Sequence, residues 1–106
     1  MANTWIVDLR HFLTSAGTLA ELPSRARMLA EYWTAIVAQG SNFEEPVTLR
    51  CRRRSGRRTC SGTLDICPDP DSFAMLWCCP VCGDNGVISG WEGSFWDNSE
   101  TPDVLH

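Results

Sequence analysis

The sequence predicts an α+β protein in which N-terminal helices pack on a small antiparallel β-sheet. Three observations predict it. An apolar stripe at helical spacing runs through residues 24–39, β-prone runs broken by turns follow from residue 47, and four cysteines sit in two hairpin-like settings. With 106 residues, 43% of them hydrophobic, the chain can build one domain with a modest core but not two full ones. The expected organisation is a helical segment at 1–45, a β module at 46–98 and an acidic tail at 99–106, where chain ends are ordinarily mobile.

From Asp8 to about Ser15, Leu9, Phe12 and Leu13 recur at helical spacing and Gly17 supplies a stop, which predicts a short first helix. A longer helix is expected from Ser24 to Gln39. There Leu29, Tyr32, Trp33, Ile36 and Val37 form one stripe, with Pro23 and Ser24 marking the start and Gly40 the end. Tyr32 and Trp33 on such a stripe are read as packing residues. The polar run 41–46 then separates the helical part from the β part.

Val47–Cys51 and Thr59–Ile66 are β-prone runs on either side of Arg52-Arg-Arg-Ser-Gly-Arg-Arg58, whose Ser55-Gly56 dipeptide marks a hairpin turn. Pro68–Ser72 is a second turn. Phe73–Trp77 is a third strand leading into Cys79-Pro-Val-Cys-Gly-Asp84, and Val87–Trp91 is a fourth. Trp77, Trp91 and Trp96 are expected to fill the core and shield the cysteines, with the tail folding back over the helix to bury its aromatics.

Cys51, Cys60, Cys79 and Cys82 are the candidate metal ligands. Borderline-soft Zn2+ is satisfied by four thiolates at ~2.3 Å with no open position, and two loops each supplying a pair can make that quartet. In Cys79-Pro-Val-Cys82-Gly83 the two-residue spacing lets both sulfurs face one ion, and the glycine permits the positive φ that turns backbone N–H groups towards sulfur. Eight residues separate Cys51 from Cys60, so their loop must bulge before returning. Cys67 would lie at the far end of its strand from Cys60. Cys78 must point to the opposite face from Cys79, so Cys67 and Cys78 are read as packed or free thiols, with a Cys67–Cys78 disulfide as the alternative outside a reducing compartment.

The Cys-Pro-x-Cys-Gly knuckle resembles those of the zinc ribbon and rubredoxin-like group. The likeness covers Cys51 to Trp91, and the run from Trp77 to Trp91 is similar to that of small bacterial proteins with no established activity. It implies a zinc-ribbon-like sheet and a bound metal. Zn2+ would be structural, whereas iron would make the chain a rubredoxin-like electron carrier, its potential set by hydrogen bonds to sulfur. Zinc is the reading favoured here, because the stretched first loop lacks the second matched knuckle of rubredoxins.

All nine basic residues are arginines, and Arg50, Arg52, Arg53, Arg54, Arg57 and Arg58 supply six of them. From Thr59 to the end there are eight acidic residues and no Lys or Arg, so a net charge of -4 hides a positive loop on an acidic body. Arg52, Arg53, Arg54, Arg57 and Arg58 are therefore the candidate contacts to nucleic acid or to an acidic protein partner. A solvated hairpin tip is the plainer reading of the same residues.

The only histidines are His11 and the terminal His106, which gives no cluster for an open catalytic zinc site, and no small-molecule substrate is indicated. A non-enzymatic interaction or regulatory module is the function expected. Asp8 and Arg10 interrupt any apolar leader and no run approaches the ~18 apolar residues of a membrane span, so a cytoplasmic protein with reduced thiols and no membrane contact is expected.

Overall fold

A computed structural model describes residues 4–43, 45–52, 54–55 and 58–99. The chain begins with strand β1 (Thr4–Asp8), a single 3-10 turn (Leu9–Phe12) and, after an irregular stretch, helix α1 (Ser24–Gly40). Two short strands, β2 (Arg54–Ser55) and β3 (Arg58–Thr59), pair with each other. The remaining strands are β4 (Asp65–Pro68), β5 (Met75–Cys78) and β6 (Asn85–Ser89). They form with β1 a four-stranded sheet in the order β1-β6-β5-β4.

The sheet is mixed, which corrects the expectation of N-terminal helices on an antiparallel sheet. β4, β5 and β6 are an antiparallel meander, but β1 runs parallel to β6, from Thr4 opposite Asn85 to Asp8 opposite Ser89. The physical reason lies in Thr4-Trp-Ile-Val, β-branched and aromatic side chains that fit a pleated surface better than a helix. Val7 is buried on the inner face while Ile6 is 86% exposed on the outer one. The Leu9, Phe12 and Leu13 spacing yields only the 3-10 turn. Its entry is capped by the Asp8 carboxylate, which accepts from the Arg10 backbone N–H at 3.1 Å. N-terminal helices thus reduce to one α-helix plus that turn.

The second helix falls where its stripe predicts. Tyr32, Trp33, Ile36 and Val37 are buried, and α1 lies across the inner face against Met75, Trp77 and Ile88. Its start is not capped by Ser24; Pro23 holds the N-cap position without a side-chain hydrogen bond. Its end is closed by Ser41, whose backbone N–H and hydroxyl both donate to the Val37 carbonyl. At Gly40 the helix comes so close to the sheet that a Cβ would sit 2.4 Å from Ile66 Cγ2 and 2.6 Å from Met75 Sδ. Trp33 meets Trp5 and Phe12 with ring centroids at 6.1 and 5.4 Å, which fixes β1 and the 3-10 turn to the helix.

The tail folds back as expected. Asn98 donates from its backbone N–H to the Ser41 hydroxyl and from its amide to the Ala38 carbonyl, and Trp91 is buried with its indole N–H donating to the Phe73 carbonyl at 2.9 Å. Phe95 remains 73% exposed.

Candidate metal centre

The loop joining β5 to β6 is the knuckle. Cys79 N–H donates to the Asp84 carbonyl at 2.7 Å and Gly83 N–H to the Cys79 carbonyl at 2.8 Å, and Gly83 takes φ +82. That closed turn brings the Cys79 and Cys82 side chains to the same side. The opposing loop is pinned at its base, below the short β2–β3 pairing. Cys51 N–H donates to the Gly62 carbonyl, Leu64 N–H to the Leu49 carbonyl, and Arg50 bridges to Thr63, where a continuous strand was expected on each arm.

These two loops converge at one end of the sheet. The Sγ atoms of Cys51, Cys60, Cys79 and Cys82 all lie within 4.8 Å of one another, with Cys51–Cys82 at 3.7 Å and Cys60–Cys79 at 3.6 Å. Four sulfurs bound at ~2.3 Å around one ion stand ~3.8 Å apart at the edges of a tetrahedron. The donor set and spacing therefore fit a tetrahedral thiolate site, and the four cysteines could hold a metal ion. Cys51 and Cys79 are each 1% exposed, whereas Cys60 and Cys82 are half-buried.

Backbone amides approach the sulfurs. Gly62 N–H donates to Cys60 Sγ at 3.4 Å. At Cys79 burial pushes the thiol up, but the N–H groups of Cys82 and Val81 and the neighbouring Cys60 and Cys82 side chains outweigh it and bring the group to about 7. At Cys60 the Gly62 N–H lowers the thiol, yet desolvation and hydrogen bonding with Cys79 and Cys82 leave it raised. Of these two facing thiols, Cys79 is thus lowered and Cys60 raised. Gly62 itself is a fit requirement that sequence reading missed: a Cβ there would stand 2.5 Å from Cys79 Sγ. Its only signal was a glycine two residues past a ligand cysteine.

Cys67 and Cys78 are exposed and stand outside the cluster. They share the outer face of the sheet, since Cys67 pairs with Leu76 and Cys78 lies two residues further along β5. Burial, followed by the charges of Asp65, Cys67 and Cys79, pushes the Cys78 thiol up.

Of the candidate binding arginines, Arg52 is exposed, with its guanidinium carbon 5.7 Å from the centre of the Tyr32 ring. Arg54 lies in β2 and Arg58 in β3, on the two arms of the short hairpin. Arg53 and Arg57 lie outside the described residues. His11 is exposed in the 3-10 turn, and His106 is outside the described residues.

Trp77 packs edge-on against Tyr32 with centroids 5.8 Å apart at 74°. Tyr32 is the residue whose place sequence reading understated. It is core, but its ring reaches from α1 to the metal-ligand loop, between Trp77 and Arg52. Desolvation pushes its phenol well above the ordinary value, with the Arg52 backbone N–H opposing and the charges of Cys51 and Asp84 adding.

No family model, curated protein or solved structure matches the chain. Among the described residues, no helix is long and apolar enough to cross a membrane.

Proposed function

We propose that the chain is a non-enzymatic interaction or regulatory module, stapled by a structural Zn2+ ion on Cys51, Cys60, Cys79 and Cys82, that meets an anionic partner through its arginine-rich hairpin. The observation that carries the metal reading is the approach of four sulfurs to within 4.8 Å from two separate loops. Zinc suits the purpose because four protein sulfurs satisfy it fully and leave no position for a substrate or a reactive water, which is why the reading is of a module and not an enzyme. Bound there, Zn2+ would supply the positive charge that keeps four crowded thiolates together. Available thiols fit a reducing cytoplasm.

The hairpin carries Arg52, Arg53, Arg54, Arg57 and Arg58, and Arg52 leaves its stem directly after a ligand cysteine. A metal that fixes Cys51 and Cys60 would hold the base of that arginine cluster in place. Guanidinium groups so held suit phosphates or carboxylates, on nucleic acid or on an acidic protein surface.

Elemental mass spectrometry of freshly purified protein, with a thiol count before and after chelation, tests the staple. One zinc per chain and a fold that loosens on chelation are expected. One iron with a reversible visible absorbance would replace this reading with the rubredoxin-like carrier, to which the Gly62 N–H bond to Cys60 sulfur is also suited. Absence of metal with oxidised thiols would end both. Replacing the five hairpin arginines by alanine should abolish salt-sensitive binding to anionic partners while the metal stays bound.

A further inference from the structure

Free cysteine is among the most buried residue types, so two exposed thiols on one face call for a reason. Cys67 and Cys78 are the exposed cysteines of the chain, and neither belongs to the quartet. The sheet register places them. Cys67 on β4 stands opposite Leu76 and Asp65 stands opposite Cys78, so the two cysteines are diagonal neighbours on the outer face of the β4–β5 pair. With Val47, Thr63, Asp65 and Leu76 they line a mostly apolar groove of about 590 Å3 beside edge strand β4. Cys78 is exposed there while its chain neighbour Cys79 is buried, as alternation across a strand requires.

That register argues against a direct disulfide. Diagonal neighbours on an antiparallel pair have Cα atoms about 7–8 Å apart, beyond the roughly 4.4–6.8 Å that a disulfide spans. A bridge one atom longer closes the gap. A disulfide holds its sulfurs about 2.05 Å apart, whereas two metal–sulfur bonds of about 2.3 Å laid end to end hold them about 4.6 Å apart. We propose that Cys67 and Cys78 form a two-coordinate site for a soft monovalent metal ion of the Cu(I) class, clamped between β4 and β5 and separate from the quartet. Softness selects the ion: thiolates favour Cu(I), Zn2+ is satisfied only by four ligands, and Mg2+ and Ca2+ need more oxygen donors than this groove offers. On binding, each thiol gives its proton to water and both sulfurs bond to the ion, with no change of oxidation state.

The test is an anaerobic Cu(I) titration of the reduced, zinc-supplied full chain against a chromophoric Cu(I) chelator, with Cys67→Ser and Cys78→Ser alongside. Both side chains are exposed, so serine leaves the core intact, and equal melting temperatures check this. The native protein should take up one Cu(I) per chain more than either variant, without releasing zinc, and X-ray absorption at the copper edge should show two sulfur neighbours. Equal copper uptake by all three proteins would overturn the proposal. So would uptake that occurs only as zinc is released, since it would place the ion in the quartet. A thiol oxidant such as diamide should leave Cys67 and Cys78 uncrosslinked in the native protein; a Cys67–Cys78 disulfide forming readily would mean that the sulfurs meet directly, and would overturn the one-atom bridge. The readout is a difference between proteins that share the quartet. If the quartet takes no zinc, the staple reading fails alone, while the extra Cu(I) of the native chain still supports this site.

Discussion

Gly62 is where a single atom decides whether the centre can assemble. An alanine there would place its Cβ 2.5 Å from Cys79 Sγ and 3.0 Å from Val81 Cγ2. No side-chain rotation relieves this, because a Cβ is fixed by the backbone and Cys79 must keep its sulfur in the quartet. Overpacking of this kind typically costs about 1–3 kcal/mol. Gly62→Ala should therefore weaken zinc binding by roughly 5- to 160-fold in chelator competition, and a variant binding within twofold of the native protein would contradict the described approach. A second residue-scale prediction concerns Asp8. Its carboxylate accepts from Arg10 Nε at 2.9 Å and Nη2 at 2.7 Å, and these bonds hold it at about 2 against an ordinary 3.8. A carboxyl depressed in the folded state contributes stability above its unfolded value, and that contribution is lost as pH falls through the folded one. The melting-temperature gap between the native protein and Asp8→Asn should accordingly be constant at pH 5–7 and close as pH falls from about 4 towards 2. The pair is solvent-exposed, so the gap should also shrink with added salt.

At the scale of elements, α1 was legible because its stripe of Leu29, Tyr32, Trp33, Ile36 and Val37 obeys one period and faces one way. The knuckle was legible for a similar reason: its spacing is local, so turn geometry follows from residues within reach of one another. β1 was not. Leu9, Phe12 and Leu13 imitate a helical turn over a few residues, while the β-branched run just before them is read correctly only if its partner strand is known. That partner, β6, lies about eighty residues away, and parallel pairing leaves no hairpin turn as a signature. The packing of α1 on β4 and β5 yields its own test at Gly40. Alanine is ordinarily the better helix former by ~1 kcal/mol. Here its Cβ would meet Ile66 Cγ2 at 2.4 Å and Met75 Sδ at 2.6 Å, and Ile66 cannot withdraw without disturbing β4. Gly40→Ala should therefore destabilise the protein by about 1–3 kcal/mol in denaturant unfolding, against the sign that helix propensity alone predicts.

For the molecule as a whole, the metal ligands join two regions held by different means. The four-stranded sheet has continuous ladders and a core of Val7, Leu9, Ile36, Val37, Met75, Trp77 and Ile88 beneath it. Among the described residues of the 50–63 loop, the base is tied by Cys51 N–H to Gly62 and Leu64 N–H to Leu49, and Cys51 and Cys60 bring the loop to the knuckle. The pairing of Cys51 and Cys60 with the knuckle could be suspected from residue type, but not how a ten-residue loop returns to the sheet; that return depends on Gly62 being small enough to pass beneath Cys79. Stability should consequently be uneven. Removing the metal with a chelator should raise amide hydrogen exchange first around Cys51, Gly62 and the 79–84 turn, while β5 and β6 near Met75 and Ile88 keep protection set by global unfolding. If instead all amides lose protection together, metal binding and folding are one event, as in modules too small to bury a core of their own. The apolar side chains of α1 and the inner face of the sheet, Ile36, Val37, Met75 and Ile88 among them, make up most of the core that Cys51 and Cys79 join, and this argues for the stepwise outcome.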